Sequence, residues 1–480
     1  MDFPASKIIT FRSPSWPGND QGHPDALLLL LTPTEYSSLY KLLGFAEFEP
    51  YLNEHDDDGR SPILYRVRSN DISESLIKRF PNSFATWTSD HKLWFIVDTK
   101  SGTLDAVWFF DHGIYTLLST LGKWQSEVWH TQSEDTITQL SEDVFVPFSR
   151  EPRREPQHIV LLSGDGGVID VVNAFYRNVR NATDIKKPIL TILPFGTGNA
   201  LSNSLNYTSD DTWGLRTMSQ GNYRPLPVFR VTFSPGARLV VNEGKDLKTI
   251  PTYSDDETEA QDSSSGKPTM FGVVVCSWGL HAALVADSDT AEYRKFGAER
   301  FMMAAKALLY PEGGSGPHPF KGKISLLDPK TKSWDAISRD THSYVVATMV
   351  SYLEKGFMIS PDSRKLDGQM RIVEMPPMSG EELMSIITGA YNGGTHVKDR
   401  RVGYKDIDGM LIEFGDEEAD KWRRVCVDGK IILIEKGGWV RVEKESRELL
   451  DVVYKPSIHS DPDTVNGSQN DDFSIRIGNW

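Results

Sequence analysis

The chain has 480 residues, of which 39% are apolar, so it is long enough to fill more than one hydrophobic core. Its net charge of −15 does not favour binding to nucleic acid, which attracts basic surfaces. The two cysteines cannot build a disulfide framework, the start lacks a basic signal region, and the apolar run 27–31 is too short to span a bilayer. We therefore expect a cytoplasmic protein.

Changes in composition along the chain predict its organisation. Residues 25–89 mix helical and strand patterns and match no motif to which we can assign a role. Residues 90–226 are predicted to form an α/β domain, and the short apolar runs of residues 227–455 predict a β-rich second domain. Three polar segments are predicted to be disordered, namely residues 1–24, the acidic insertion 254–267 and the tail 456–480.

Two glycine-rich turns in the α/β domain are the most informative feature of the sequence. The apolar runs 158–162 and 189–193 predict buried strands, and each run leads through such a turn into a predicted helix. This repeated order predicts a parallel sheet with a ligand at the carboxyl ends of its strands. Backbone N–H groups at such turns bind phosphates. The turn residues expected to do so are Ser163, Gly164, Gly166, Gly167, Gly196, Thr197, Gly198 and Asn199.

Two familiar nucleotide-binding motifs are excluded by the same residues. The dinucleotide motif GxGxxG would need a glycine where Ile169 stands, and GxxxxGK[ST] occurs nowhere in the chain. Each turn alone would more often be an ordinary loop, because glycine and aspartate are common turn residues. Two turns about 30 residues apart, each at the end of a predicted strand, favour a binding site.

The two turns resemble the motifs of the diacylglycerol kinase catalytic family, which includes sphingosine and ceramide kinases. The pattern GGDG(T/S)xxEVxNG corresponds to Ser163–Ala174, and PxG(T/S)GN corresponds to Pro194–Asn199. Serine at the first position of the first motif, Ser163, and alanine after the second motif, Ala200, resemble the sphingoid base kinases more than the other members. The resemblance implies a nucleotide-binding fold like that of NAD kinases and phosphofructokinases, with ATP and Mg²⁺ as cofactors.

Further segments extend the resemblance to about residues 90–455. The resemblance implies that Asp165 is the catalytic carboxylate, accepting the proton of a lipid hydroxyl or helping to hold Mg²⁺. Asp287, or Asp289 because the spacing upstream is two residues longer, is implied to bind the amine of a sphingoid base. Other implied contacts to ATP are Ser101, Gly102, Thr131, Arg294, Arg300 and Asp428. The metal ligands stay unassigned.

Three positions depart from the family pattern. Asp98 replaces an asparagine, Gly167 replaces a threonine or serine, and Lys430 replaces a late glutamate. A lysine near phosphates stabilises negative charge but does not bind magnesium. These departures keep a catalytically weak or inactive binding protein among the hypotheses.

We therefore predict an ATP-dependent lipid kinase that transfers the γ-phosphate to a hydroxyl of a lipid, with a sphingoid base as the preferred acceptor. Such an enzyme would need to bind transiently to a membrane, as a peripheral protein, to reach its substrate. An NAD-kinase-like enzyme acting on a soluble nucleotide is the second hypothesis, and a lipid- or nucleotide-binding protein of the same fold is the third.

Overall fold

The structure is a computed structural model that describes most of residues 91–455. It omits the segments 103–104, 116–117, 119–125, 153–154, 210–212, 221, 255–265, 297–298 and 315. Outside residues 91–455 it describes only five backbone strands, β1 (Asp2–Pro4), β2 (Ile8–Phe11), β3 (Ala26–Leu31), β4 (Ile63–Arg68) and β30 (Ser474–Arg476). Most of the segments predicted to be disordered, and most of residues 25–89, lie outside the described residues.

The first sheet has six strands, of which the central ones are parallel. In spatial order they are β6 (Glu127–His130), β5 (Lys92–Val97), β7 (Gln157–Ser163), β8 (Ile189–Pro194), β29 (Asp451–Tyr454) and β9 (Asn222–Pro225). Strands β5, β6, β7, β8 and β29 are paired in parallel, and β9 is antiparallel to β29. Every residue of β7 is buried, which explains its continuous apolar sequence.

Helices follow these strands and cover the first sheet. The α-helices of this part are α1 (Asp105–Phe109), α2 (Thr136–Leu140), α3 (Val146–Arg150), α4 (Asp165–Asn178), α5 (Ala200–Ser204) and α6 (Leu215–Gln220). The π-helical segments are Phe110–Ile114 and Ser141–Phe145, and the 3₁₀ segments are Ala182–Asp184 and Tyr207–Ser209. Both predicted strand–turn–helix units are confirmed, with α4 after β7 and α5 after β8.

Two antiparallel sheets form the second part of the fold. The first is ordered β13 (Thr252–Tyr253), β14 (Lys267–Gly272), β10 (Phe229–Phe233), β28 (Trp439–Lys444), β25 (Gly409–Glu413), β17 (Lys323–Leu327) and β18 (Trp334–Ala336). The second is ordered β12 (Asp246–Thr249), β11 (Arg238–Val241), β27 (Lys430–Leu433), β26 (Arg424–Val427), β15 (Val275–Gly279), β20 (Tyr344–Thr348), β23 (Met370–Met375) and β24 (Gly403–Ile407). The β-rich second part of the fold class is therefore confirmed.

Shorter elements complete the second part. Its two-stranded ribbons are β16 (Phe320–Lys321) with β19 (Thr341–His342), and β21 (Tyr352–Glu354) with β22 (Phe357–Met358). Its helices are α7 (Leu280–Ser288), α8 (Ala291–Arg294), α9 (Glu299–Leu309) and α10 (Gly380–Tyr391), with 3₁₀ segments Thr395–Lys398 and Asp420–Trp422. The described helices include none that is long and apolar enough to cross a membrane.

The chain crosses between the two parts more than once. The predicted second domain, 227–455, ends in β29, which pairs with β8 of the first sheet. One apolar core includes residues of both parts, and a second core fills the space between the two antiparallel sheets. The predicted domain boundaries stay predictions, but the last strand returns to the α/β sheet because its apolar residues complete the first core.

Candidate functional site

Three turns meet at the carboxyl ends of β5, β7 and β8. We number the turns in chain order, so that the first follows β5, the second follows β7 and the third follows β8. A Cβ on Gly196 would lie 2.3 Å from the Cα of Gly164, so the second and third turns are in direct backbone contact. Gly102 has a φ of +55°, and a Cβ there would lie 2.1 Å from the carbonyl oxygen of Phe195. Only glycine permits this convergence. The two glycine-rich turns, expected at the carboxyl ends of parallel strands, therefore lie side by side, and the Ser101–Gly102 segment joins them.

The first turn of α4 faces open space. Among the described residues, no atom beyond its chain neighbours and the backbone of its own helix lies within 4 Å of a Cβ placed on Gly166, which is an exposed residue. Since the amides at the start of a helix have no partner within the helix, this turn has the geometry of an anion site. The amide of Gly167 already donates to the carbonyl oxygen of Gly164 at 3.2 Å. Among the predicted phosphate-binding glycines, Gly166 is therefore the one most open to a ligand.

The departure at Gly167 has a steric explanation. A Cβ on Gly167 would lie 2.8 Å from Ser163 Oγ and 3.0 Å from Ile137 Cδ1, so the space of a larger residue is already filled. The Ser163 hydroxyl donates in turn to Asp98 Oδ2 at 2.9 Å. Gly167 and Ser163 thus form a matched pair, in which the serine occupies the volume freed by the glycine.

The departure at Asp98 supports the turn after β5. Asp98 Oδ1 accepts from the Thr131 hydroxyl at 3.2 Å and from the Lys100 amide at 3.1 Å. The amide of Thr99 donates to Thr131 Oγ1 at 3.0 Å. A carboxylate accepts on both oxygens, whereas asparagine has only one acceptor oxygen, so the acid suits this network. Thr131 is buried within it, and its contact with ATP stays a prediction.

Asp165 connects the second and third turns. Its Oδ2 accepts from the amide of Ala200 at 2.7 Å, and its Oδ1 accepts from the amide of Leu201 at 3.0 Å. These amides belong to the first turn of α5, where a negative charge is favourable. Burial raises the pKa of Asp165, and the two N–H bonds oppose that rise. The carboxylate therefore lies at the junction of the turns and binds a proton more strongly than an exposed aspartate does.

Asn199 closes the third turn instead of pointing away from it. Its backbone is in the left-handed region, with a φ of 51°. Its Oδ1 accepts from the Gly196 amide at 2.8 Å, and its amide group donates to the Gly196 carbonyl at 2.7 Å. Thr197 is exposed, and a Cβ on Gly198 would come within 3.4 Å of the Leu353 carbonyl in the second part of the fold. The turn thus lies where the two parts meet.

Asn173 is a site residue whose role the sequence did not reveal. Its amide group donates to the Phe271 carbonyl at 2.8 Å, and its oxygen accepts from the Phe271 amide at 3.1 Å. These bonds fix α4 to β14, almost 100 residues later in the chain. Its place in the motif was visible, but its partner could not be inferred because the contact is formed only by the tertiary fold.

Asp428 has a comparable anchoring contact. Its carboxylate accepts from the backbone amides of Val273, Val274 and Val275 at 2.6–3.1 Å. Burial raises its pKa to about 7, although the N–H bonds work in the opposite direction. Asp428 was predicted to contact ATP, and that contact stays a prediction. The described bonds show it fixing the β26–β27 turn to the segment that follows β14.

Lys430 forms an ion pair with a motif acid. Its Nζ lies 3.2 Å from Asp170 Oδ1, and the two side chains are 34% and 15% exposed. Burial raises the pKa of Asp170, while the lysine lowers it. The departure at Lys430 therefore places an ammonium, not a second carboxylate, beside α4.

The predicted amine-binding acids lie on and after α7. Asp287 Oδ1 is 2.7 Å from Arg424 Nη2, and its Oδ2 is 3.4 Å from Lys421 Nζ. Asp289 Oδ1 lies 3.7 Å from Arg300 Nη1, an arginine predicted to contact ATP. Arg294, predicted for the same role, ends α8, and only its backbone is described.

The acids of the site decide whether a magnesium ion fits there. In the part of the chain that the structure describes, no group of three or more His, Cys, Asp or Glu side chains is arranged to hold a metal ion. The carboxylates of Asp165 and Asp428 accept backbone N–H bonds, and Asp170 is paired with Lys430. This donor set does not fit a metal held by protein carboxylates alone.

Comparison with known proteins identifies the α/β part. Residues 92–231 match the diacylglycerol kinase catalytic domain. Sphingosine kinase 2 of Arabidopsis thaliana is 24% identical over 304 residues, and sphingosine kinase 1 is 22% identical over 308. Each match covers 57% of this chain and 56% of the relative, so the chain matches little more than half the length of these relatives.

Solved structures were compared with the whole fold. A diacylglycerol kinase from Bacillus anthracis strain Sterne has a TM-score of 0.45 at 14% identity, covering 77% of this chain and 98% of that one. Yeast NADH kinase in complex with NADH has a TM-score of 0.37 at 13% identity, covering 77% and 85%. The similarity rests on the sequence match, in which residues 92–231 of this chain match the diacylglycerol kinase catalytic domain.

Proposed function

We propose that the chain is an ATP-dependent lipid kinase whose acceptor is the hydroxyl of a sphingoid base. The observation that carries the proposal is the contact between the turns of Gly164 and Gly196, with the Asp165 carboxylate between them. Two adjacent backbone turns at one sheet edge suit a chain of phosphates. In this proposal Gly166 lies closest to the phosphates of ATP.

The chemistry assigned to the site is a single phosphoryl transfer. The lipid hydroxyl oxygen forms a bond to the γ-phosphorus, the bond from that phosphorus to the bridging oxygen breaks, and ADP leaves. Asp165 accepts the hydroxyl proton. Each of its oxygens accepts one backbone N–H and keeps a lone pair, and its pKa is raised by burial, so it is suited to proton transfer.

An apolar pocket near Asp287 supports a lipid acceptor. The pocket is a narrow cleft with a cavity volume of about 10 Å³, close to that of one water, and it lies between α7, α9 and the 3₁₀ segment Asp420–Trp422. Leu280, which lines it, is seven residues before Asp287 on α7 and therefore on the same helical face. The apolar lining includes Leu280, Leu308, Pro317, Phe320, Leu383 and Trp422. In this proposal the apolar side chains that line the cleft move apart to admit the hydrocarbon, and the amine displaces Lys421 Nζ from Asp287 Oδ2, 3.4 Å away.

Exposed apolar side chains on α9, which lines the pocket through Leu308, suit transient contact with a bilayer. Met302 is 76% exposed and Met303 is 39% exposed, and both lie on α9 beside the proposed pocket. Phe296 and Tyr310, at either end of α9, are also exposed. Since such residues bury area in an interface with lipid, we propose that this helix meets the membrane that supplies the acceptor.

The test is a transfer assay with radiolabelled ATP and a panel of acceptors: sphingosine, ceramide, diacylglycerol and NAD. We expect phosphorylation of sphingosine, and an increase of about tenfold or more in its KM for Asp287→Asn, with ATP affinity unchanged. Asp289→Asn tests the alternative acid, which pairs with Arg300. Preference for diacylglycerol, or a KM that neither variant changes, would refute the sphingoid assignment.

The same assay separates the two alternative functions. Phosphorylation of NAD but of no lipid would identify a kinase of soluble nucleotides. Tight binding of ATP without transfer to any acceptor would identify a binding protein, a result that the departures at Asp98, Gly167 and Lys430 would then explain.

A further inference from the structure

Lys430 lies on the side of α4 that carries the open phosphate turn. Asp170, its partner, follows Gly166 by four residues in α4, and residues four apart share one face of a helix. Gly166 itself faces open space. The ion pair of Lys430 with Asp170, 3.2 Å apart, therefore stands one helical turn from the amides that we assign to ATP.

The position of this lysine is fixed from two directions. Asn173 holds α4 to Phe271 through two hydrogen bonds. Asp428, two residues before Lys430, holds the β26–β27 turn to the amides of residues 273–275. Because both anchors hold one short segment, 271–275, the distance between Lys430 and the start of α4 is set by the fold. A charge held in this way needs little reorganisation when it meets a ligand.

We propose that Lys430 donates to a terminal phosphate of bound ATP, an inference that rests on the proposed kinase function. An ammonium has three N–H donors, and the bond to Asp170 uses one of them. The same pairing offsets the negative charge that Asp170 would otherwise offer to a divalent cation. The chain thus supplies a fixed cation beside α4 in place of a pair of acids that attracts a metal.

The test measures ATP binding to the full chain by calorimetry, with excess EDTA and then with MgCl₂. In EDTA, we expect Lys430→Met to weaken ATP binding about tenfold or more and to leave AMP binding unchanged, because AMP lacks the terminal phosphates. Lys430→Arg keeps the charge and should bind ATP within about threefold of the wild type. Lys436→Met removes an exposed lysine of the same part of the fold and serves as the control for net charge.

A second arm uses metal binding as its readout. Lys430→Glu places a carboxylate beside Asp170, and we expect it to bind Mn²⁺, detected by electron paramagnetic resonance, where the wild type without nucleotide binds none at this place. Circular dichroism checks folding, and Lys430→Gln replaces Lys430→Met if that variant does not fold.

The outcomes distinguish this inference from the kinase proposal. If the wild type binds ATP and Lys430→Met binds it equally well in EDTA, the phosphate contact is refuted while the kinase proposal stands. If Lys430→Glu gains no Mn²⁺, the inferred exchange of a metal for a lysine is wrong. A wild type that binds no ATP under either condition would overturn both proposals.

Discussion

The bonds of Asp165 predict that replacing it with asparagine disturbs the third turn as well as the chemistry. The two carboxylate oxygens accept from the amides of Ala200 and Leu201. Asparagine keeps one acceptor oxygen, but its NH₂ group would face the second backbone N–H, so one bond is lost and two donors oppose each other. The variant Asp165→Asn therefore removes a link between the second and third turns.

The magnitude follows from the kind of bond that is lost. A hydrogen bond to a charged group contributes about 1.5–3 kcal/mol, and the loss of the buried charge offsets part of this. We expect the free energy of local opening at Ala200 and Leu201 to fall by roughly 2 kcal/mol, which corresponds to about 30-fold faster amide exchange. Activity should fall by about 10²–10⁴-fold, the usual range for losing a general base.

The assay combines hydrogen exchange of residues 196–205 with phosphoryl transfer. Asp143→Asn, at an exposed acid of the same part of the fold, is the matched control, and it should change neither reading. Unchanged exchange at Ala200 and Leu201 in Asp165→Asn would refute the reasoning about the turn. Faster exchange with undiminished turnover would instead show that Asp165 only positions the turn and does not accept the proton.

Two further predictions concern the backbone of the site and the effect of acid. Gly196→Ala should abolish ATP binding and lower thermal stability, because its Cβ would lie 2.3 Å from the Gly164 Cα. Gly166→Ala should weaken ATP binding but change the free energy of unfolding by less than about 1 kcal/mol, because its Cβ meets open space. Equal stability of the two variants in thermal unfolding would contradict this. Burial lowers the pKa of His158, which contacts Thr191 at 2.7 Å, to about 3. The unfolded chain takes up this proton first, so the contribution of His158 to the free energy of unfolding should decrease from about pH 6.5 downwards, by up to 1.36 kcal/mol per pH unit, and the difference between wild type and His158→Gln in urea titrations should show that slope.

The part of the site that the sequence predicted is the part made by local structure. The turn 163–167 and the turn 196–199 each follow a strand whose apolar residues predicted it, and parallel strands place such turns at one edge. The contact of Gly102 with the third turn was also consistent with the predicted site. These features depend on periodicity and turn chemistry, which are visible in a short window of sequence.

Contacts between residues distant in the chain could not be predicted in this way. Arg424 pairs with Asp287 across 137 residues, and no local pattern around Asp287 indicates that this acid has a cationic partner. The same holds for β29, whose residues 451–454 return to the first sheet after more than 200 residues in other elements. Such pairings are fixed by sheet order and packing, for which one sequence contains no local signal.

Helix α4 shows how the two kinds of information combine. Asp165 begins it and holds the third turn, Asp170 pairs with Lys430 in its second turn, and Asn173 bonds to Phe271 in its third. Farther along, the Tyr176 hydroxyl donates to the Arg447 carbonyl at 2.7 Å. One motif therefore supplies both the residue assigned to proton transfer and the anchors that hold the second part of the fold against it. Because Asp165 and Asp170 share one helix, a shift of α4 would move the proposed base together with the carboxylate that pairs with Lys430, and helical geometry keeps the two acids at a fixed spacing.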